Sequence, residues 1–366
     1  MIMRIKEITA ELERFAPLSL QEEYDNAGLL IGNDNEEVNK ALICLDLTDE
    51  VLDEAKQHEC KLIISHHPLI FGGIRRLNGN DPVERLVIKA IQNNIAVYAI
   101  HTNIDNIHGG VNSEIAKRLQ LQNTEILRPK KSMLRKLVTF CPTKDADRVR
   151  QAIFDAGAGH IGNYDSCSYN IQGKGSFRAG EGSDPHVGEI KKLHFEEETR
   201  IESIYPVYLE SRIIRQMIEA HPYEEVAYDI YPLENTFEQA GSGIIGELEN
   251  AMDKMKFLEL LKKEFAAGCV KYTGFEKDEV RKIALCGGAG SFLIDTAKAR
   301  GADVFISGDI KYHDFFKSGK NMMIVDIGHY ESEQYTKELI FTILKQKFPN
   351  FALQISNVNT NPVNYL

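Results

Sequence analysis

The sequence predicts an α/β fold in which two related three-layer halves form one core domain and an α+β domain is inserted between them. Continuous apolar strands alternate with helices in the first and last thirds of the 366 residues, which is typical of parallel sheets covered on both faces. The middle third has two strand–helix–strand units instead, which is typical of a ferredoxin-like sandwich. We place the three segments at residues 1–127, 128–236 and 237–366.

The first segment opens with a helix and continues with three strands. Apolar residues recur at helical spacing from Ile5 to Phe15. Asp81 followed by Pro82 predicts a helix start, because aspartate caps a helix and proline suits its first turn. That helix should run to about Asn93. Buried strands are predicted at 41–47, 62–65 and 95–100.

The last segment repeats this order. Strands are predicted at 282–286, 303–306 and 322–325. Gly287 to Gly290 follow the first of them, where backbone N–H groups can bind phosphate. These residues do not form a complete phosphate-binding motif, so a plain tight turn is the favoured alternative. A helix should begin near Tyr330.

The middle segment has its own alternation of strands and helices. A glycine-rich stretch near its centre suits a hairpin or flexible loop better than a core element. The predicted elements are a strand at 135–141, a helix at 145–156, a strand near 203–209, a helix at 211–220 and a strand near 225–231.

Composition restricts the class of protein. The net charge of -11 opposes contact with phosphate backbones and argues against broad nucleic-acid binding. No apolar run reaches the length of about 18 residues that a membrane helix needs. Six scattered cysteines, with no paired spacing, favour reduced thiols over disulfides. We therefore expect a cytoplasmic protein without a membrane partner.

Candidate metal ligands follow the predicted strands, where ligands bind in parallel sheets. His66 and His67 end one strand, Asp105 follows the next, and His329 and Glu333 are four residues apart at a helix start. Each alone has an ordinary interpretation as an exposed pair, a turn residue or a surface pair. Their joint position at three strand ends favours a metal site.

The ligand types suggest the metals. Three histidines with two carboxylates suit divalent Zn, Fe, Mn, Co or Ni. Five ligands exceed the usual set of one open catalytic zinc site, but they fit two cations that share a bridging carboxylate and hold a water or hydroxide. Glu333 is the predicted bridge.

Two further residues are candidate catalytic groups. His101 follows the third strand and could move protons, although a simple loop histidine is as good an interpretation. Asp309 follows the strand at 303–306 and should lie at the rim of the site, where helix capping is the alternative. Asp25 is interpreted as a turn residue.

Several segments together resemble the Ngg-interacting-factor-like family, whose bacterial members are often labelled GTP cyclohydrolase type-two homologs. They are YDNAGLLIG (24–32), IISHHPLIFGG (63–73), AIHTNIDNIHGGVN (99–112), ISGDIKYHD (306–314) and DIGHYESE (326–333). The resemblance implies two metal ions per subunit at the five positions named above. It also implies a PII-like or CutA-like insert, suggested by HPYEEVAYDIYPL (221–233). A ring-shaped homohexamer, a trimer of dimers with metal sites facing its cavity, is implied as well.

These features predict a metal-dependent hydrolase that acts on a nucleotide or related small molecule through a metal-bridging hydroxide. The alternative is a non-catalytic metal-binding regulator or scaffold, whose PII-like insert senses a small molecule. DNA binding is a weak third interpretation, because the overall charge opposes it.

Overall fold

The computed structural model describes residues 1–366, and these divide into two compact units. The core unit comprises residues 1–129 and 238–366, and the second unit comprises residues 130–237. All six cysteines are free thiols. None of the helices combines the length and apolar content that crossing a membrane requires.

The strands, in chain order, are Met3–Arg4 (β1), Gly28–Ile31 (β2), Glu37–Val38 (β3), Lys40–Cys44 (β4), Leu62–Ser65 (β5), Ala96–Ala99 (β6), Gln122–Lys130 (β7), Leu134–Pro142 (β8), Tyr169–Arg178 (β9), Leu193–Pro206 (β10), Tyr228–Leu233 (β11), Phe237–Asp253 (β12), Lys271–Tyr272 (β13), Glu279–Ala289 (β14), Val304–Gly308 (β15), Met323–Asp326 (β16) and Ala352–Ile355 (β17). The α-helices are Ile5–Phe15 (α1), Asp49–Gln57 (α2), Pro82–Gln92 (α3), Thr102–Asp105 (α4), Val111–Arg118 (α5), Ala146–Asp155 (α6), Glu210–Ala220 (α7), Lys254–Glu264 (α8), Ile294–Ala299 (α9), Tyr312–Phe315 (α10), His329–Glu333 (α11) and Thr336–Lys347 (α12).

The first main sheet of the core unit has the strand order β17-β4-β5-β6-β2. Its first four strands are parallel, and β2 pairs antiparallel with β6. The helices α2 and α3 connect β4, β5 and β6, as expected for parallel neighbours. This arrangement confirms the predicted α/β class for the core.

The second main sheet has the order β13-β16-β15-β14-β12-β7. Its strands β14, β15 and β16 are parallel, and they follow one another in the chain as β4, β5 and β6 do. Each half of the core therefore contributes three consecutive parallel strands. Their carboxyl ends are where loops can carry ligand-binding side chains.

Local sequence signals explain several helix starts. The Asp81 carboxylate accepts a hydrogen bond from the Val83 N–H at 2.8 Å, and Pro82 is the first residue of α3. The predicted cap is therefore confirmed. In α1, Ile5, Ile8 and Leu12 are fully buried. Burying such a side chain contributes about 1.5–3 kcal/mol, so the apolar face fixes the helix orientation.

Two strand boundaries and one additional strand differ from the sequence prediction. The strand predicted at 41–47 ends at Cys44, because the backbone then turns into the loop that leads to α2. In contrast, β14 extends from Glu279 to Ala289 and includes Gly287 and Gly288, two of the three glycines that the sequence predicts to form a turn. The C-terminal strand β17 joins the first sheet beside β4, a pairing between distant parts of the chain that local patterns do not reveal.

The second unit contains one four-stranded antiparallel sheet with the order β11-β8-β10-β9. Along the chain its elements follow as strand, helix, strand, strand, helix, strand. Its core includes Leu137, Val149, Ile201 and Met217. The strand predicted near 203–209 spans Leu193–Pro206 instead, and part of the glycine-rich stretch forms the edge strand β9, because its pairing with β10 continues past residue 173.

Candidate metal centre

Three strand ends of the core unit bring the predicted ligand residues together. His66 and His67 directly follow β5, Asp105 ends the short helix after β6, and His329 and Glu333 are the first and last residues of α11. Groups of side chains that could hold a metal ion form at this point, with their ligand atoms within 4.8 Å of one another. The predicted juxtaposition is therefore present.

One group consists of His67, His329 and Glu333. The Nε2 atoms of His67 and His329 each lie 3.0 Å from Glu333 Oε2 and 3.3 Å from each other. Around a tetrahedral cation with bonds of about 2.0–2.1 Å, neighbouring ligand atoms are about 3.3 Å apart. The observed spacing fits that geometry.

A second group consists of His66, Asp105 and Glu333. His66 Nε2 lies 3.7 Å from Asp105 Oδ1 and 3.8 Å from Glu333 Oε2. His66 Nε2 and Asp105 Oδ1 are both buried without a hydrogen-bond partner. Orphaned buried polar atoms cost free energy, and a shared cation is a partner that suits both a nitrogen and a carboxylate oxygen. Glu333 Oε2 belongs to both groups.

The outer nitrogen of each ligand-group histidine is held by the protein. His66 Nδ1 donates to the Ile100 carbonyl at 2.9 Å, and His67 Nδ1 donates to Asp46 at 2.7 Å. His329 Nδ1 donates to Asp309 at 2.8 Å. In metal sites such bonds fix the ring and leave Nε2 for the cation.

Burial and charge set the protonation of the histidines. Burial lowers the pKa of His66 to about 4, so its imidazole is neutral at pH 7. Burial opposes charge on His67 too, but its hydrogen bonds to Asp46 and Glu333 raise the pKa to about 10. The pKa of His329 is raised to about 9, against burial, mainly by its hydrogen bond to Glu333. A cation that binds here displaces protons from His67 and His329.

The two carboxylates have opposite shifts. Burial, followed by the neighbouring charge of Glu333, raises the pKa of Asp105. Burial acts in the same direction on Glu333, but hydrogen bonds from the histidines, His329 foremost, hold its pKa well below the usual value. Glu333 is therefore an anion that is only 3% exposed. The negative charge of Glu333 faces the imidazole rings, and this favours binding of a cation between Glu333 and the histidines.

His101, one of the two predicted catalytic residues, forms a third possible ligand group with His66 and His67, and this group does not include Glu333. Its ring centroid is 5.3 Å from those of His66 and His67. Its Nδ1 donates to Asp25 at 2.8 Å. Although burial opposes it, the hydrogen bonds from His101 and Thr102 lower the pKa of Asp25 to about 2. The carboxylate thus orients the His101 ring through its Nδ1.

Asp309, the other predicted catalytic residue, has a different position. Its carboxylate is hydrogen-bonded to the outer nitrogen of His329 and does not join any of the three ligand groups. This geometry supports a positioning role for Asp309 through His329. Asp25, which the sequence suggested to be a turn residue, has the equivalent role for His101.

The glycine-rich end of β14 does not form a phosphate-binding loop. The N–H groups of Gly287, Gly288 and Gly290 donate to Asn112, Ser332 and Ser307, at 2.9, 3.0 and 2.8 Å. They are therefore occupied within the protein. Gly288 also has φ +58, and a Cβ there would overlap Glu333 Oε1. The glycine makes room for the shared carboxylate.

The ligand groups open into a cleft of about 820 Å³ within the core unit. Residues from the C-terminal tail form part of its wall. Thr360 Oγ1 donates to Asp46 Oδ2 at 2.7 Å, and Asn361 Nδ2 donates to Glu331 Oε1 at 3.1 Å. The tail thereby contacts Asp46, which holds His67. Sequence reasoning missed Asp46 because residues 41–47 were predicted to be a continuous strand.

We predict that Asp46→Asn weakens Zn²⁺ binding about 10- to 100-fold, because the amide is a poorer acceptor for His67 Nδ1–H. Competition with a chromogenic chelator measures the affinity. Asp53→Asn is the matched control, since Asp53 is exposed and pairs only with Lys89. Equal Zn²⁺ affinities in the two variants would contradict the role given to Asp46.

The fold and this geometry define an α/β protein with histidine and carboxylate groups, able to hold metal, at the carboxyl ends of parallel strands. The chain belongs to the Duf34/NIF3 (NGG1p interacting factor 3) family, whose model matches residues 3–362. It is 38% identical over 369 residues to the GTP cyclohydrolase 1 type 2 homolog of Bacillus subtilis strain 168, covering 99% of this chain and 98% of that relative.

Two solved structures resemble the protein over its full length. A Bacillus cereus protein related to NIF3 has a TM-score of 0.89 at 40% identity, with 100% of both chains covered. The Staphylococcus aureus protein SA1388 has a TM-score of 0.78 at 31% identity, with 100% of this chain and 99% of that chain covered. The resemblance to this family that the sequence indicated is confirmed.

Proposed function

We propose that the protein is a hydrolase that depends on two divalent metal ions and acts on a nucleotide or a related small molecule. One observation carries this proposal: Glu333 Oε2 is shared by two groups of candidate ligands, each of which has its own histidine. A carboxylate in that position is suited to bridge two cations. A single open zinc site would usually need about three protein ligands.

The residues divide naturally between the two cations. His67, His329 and Glu333 would hold one, and His66, Asp105 and Glu333 would hold the other. Imidazole and carboxylate ligands suit Zn, Fe, Mn, Co or Ni. Such a pair, when bound, supplies Lewis-acid polarisation of a phosphoryl or carbonyl oxygen and makes water more acidic.

His101 is the proposed proton carrier. It is 13% exposed at the edge of the cleft, and Asp25 fixes its outer nitrogen. Its remaining nitrogen can take a proton from water or give one to a leaving group. This division of roles resembles that of other histidine–aspartate pairs, in which the carboxylate orients the ring and the histidine transfers the proton.

Two further observations support a nucleotide-sized substrate. The cleft of about 820 Å³ lies within the usual range for small-molecule sites, roughly 300–1,000 Å³. Relatives such as that of Bacillus subtilis are named for homology to a GTP cyclohydrolase. This name supports a nucleotide as the class of substrate.

The proposal is tested with protein purified without chelators. Metal analysis should give about two divalent ions per chain. Turnover is then measured on a panel of nucleotides, phosphoesters and cyclic amides. Absence of hydrolysis across the panel by fully metal-loaded protein would remove the catalytic proposal.

We predict that His101→Gln lowers kcat on the best substrate by at least about 100-fold, the usual contribution of a general acid or base. Metal content should stay at the wild-type level, because the two groups that share Glu333 keep all of their ligands when His101 is replaced, although His101 can form a third group with His66 and His67. His313→Gln is the control, since His313 is exposed and does not line the cleft. Full activity in His101→Gln would assign proton transfer to another group.

A non-catalytic metal-binding regulator is the second candidate function. The observation that favours it is a separate cleft of about 480 Å³ within the second unit. We propose that this unit is an inserted ferredoxin-like domain of the PII or CutA kind, which its element order and antiparallel sheet support. Retention of a small molecule there, with inert metals, would favour regulation. The homohexamer implied by the family resemblance stays a prediction.

A further inference from the structure

Two aromatic side chains lie exposed at the rim of the metal cleft. Tyr24 is 63% exposed and Phe71 is 53% exposed, and both line the cleft that contains the ligand groups. Aromatic rings are usually among the most favourable side chains to bury. Two large rings left in water beside a polar site are typical of ligand-binding surfaces.

The rings of Tyr24 and Phe71 form one continuous surface. Their centroids are 6.1 Å apart and their planes are inclined by 34°. This spacing is too small for a third ring to enter between them, so a ligand would pack on their outer faces. The Phe71 ring is also 6.1 Å from the His101 ring, which it meets edge-on at 69°. The aromatic row therefore leads from the rim to the proposed proton carrier.

Polar contacts hold the two rings in place. Both residues lie outside helices and strands, in segments that are far apart in the sequence. Asn26 Nδ2 donates to the Ile70 carbonyl at 2.6 Å and so joins the residues that follow Tyr24 and precede Phe71. Asp25, with its side chain fully buried, accepts from the Thr102 N–H at 3.0 Å. The segments that carry Tyr24 and Phe71 are therefore fixed by hydrogen bonds, although the two rings are not part of the apolar core.

We propose that Tyr24 and Phe71 form a stacking shelf for a planar heteroaromatic ring of the substrate, such as a purine base. This inference rests on the proposed function only in taking the bound molecule to be the substrate. A flat π-system gains π-stacking on both rings, a contribution that a sugar or an alkyl chain, which can only pack its C–H groups on them, does not have. A ring on this shelf would lie on the side of the cleft near His101, whose ring is 6.1 Å from that of Phe71.

The absence of tryptophan from the chain gives a direct test. Phe71→Trp places a single tryptophan on the shelf and keeps an aromatic surface there. We expect saturable quenching of its emission, in the Zn²⁺-loaded protein, by guanosine and by guanosine 5′-monophosphate. Ribose 5-phosphate, which lacks the base, should not quench. Phe316→Trp, at an exposed ring outside this cleft, should show no saturable quenching by any of the three.

The contribution of the second ring is measured separately. Adding Tyr24→Ala to Phe71→Trp should weaken guanosine binding by about tenfold, the effect of losing one stacking partner. Tyr24→Phe should leave it unchanged, because the ring is kept. Equilibrium dialysis of guanosine with wild type and the Tyr24→Ala single variant repeats the measurement without the tryptophan, in case that substitution perturbs folding.

The outcomes separate this inference from the hydrolase proposal. Equal quenching by ribose 5-phosphate, or unchanged guanosine affinity in Tyr24→Ala, would overturn the shelf even if the protein hydrolyses a ring-free phosphoester. Ring-dependent binding that Tyr24→Ala weakens supports the shelf, even if no member of the panel is turned over.

Discussion

Glu333→Gln should reduce the metal content from about two ions per chain to one or fewer, and hydrolysis by at least about a hundredfold. The substitution keeps the size of the side chain but removes the charge that both ligand groups share. A neutral amide cannot bridge two cations as a carboxylate does. Elemental analysis of the purified variant and turnover on the best wild-type substrate measure the two effects.

Glu331→Gln is the matched control for this prediction. Glu331 is in the same short helix and is also buried, but its carboxylate faces Asn361 and it belongs to neither ligand group. The Glu331→Gln variant should retain the wild-type metal content. Normal metal content in Glu333→Gln would show that this carboxylate does not serve as a bridge, and the proposal of a dinuclear site would fail with it.

Gly288→Ala should also abolish normal metal binding, although residue 288 offers no ligand atom. Its φ of +58 strains any L side chain, and the new Cβ would overlap Glu333 Oε1. The strain costs about 1–2 kcal/mol and the overlap about 1–3 kcal/mol more. Glu333 must then shift away from His67 and His329. Thermal unfolding in the presence of EDTA measures the loss of stability. A separate titration with Zn²⁺ measures the loss of metal binding.

Gly301→Ala separates backbone strain from the overlap. Gly301 has φ +71, but a Cβ there would meet nothing within 4 Å. Gly301→Ala should lower the free energy of unfolding only by the strain energy and should leave Zn²⁺ binding at the wild-type level. If both variants bind Zn²⁺ equally well, then Gly288 is not what makes room for Glu333.

Much of the core could be predicted because its signals are local. The strand at 62–65 and the capped helix that begins at Pro82 match the structure closely, since each depends on a few adjacent residues. The boundaries of β14 and β10 were missed because their strands continue through glycine and charged residues. Pairing with neighbouring strands, which no local window contains, extends them.

The same distinction between local sequence signals and long-range contacts applies to the candidate metal centre. The sequence by itself predicted which side chains come together: His66, His67, Asp105, His329 and Glu333 lie after strands, and parallel strands end on one edge of a sheet. It also indicated the Duf34/NIF3 family, to which the chain belongs.

Only the tertiary structure decided how these side chains are used. In the folded chain, Asp46 accepts a hydrogen bond from His67, Asp309 accepts one from His329, and Asp25 accepts one from His101. His66 Nε2 has no hydrogen-bond partner. The physical reason is that the direction of an imidazole depends on which acceptor meets its outer nitrogen. Those acceptors come from segments up to 76 residues away, and only the folded chain brings them within hydrogen-bonding distance.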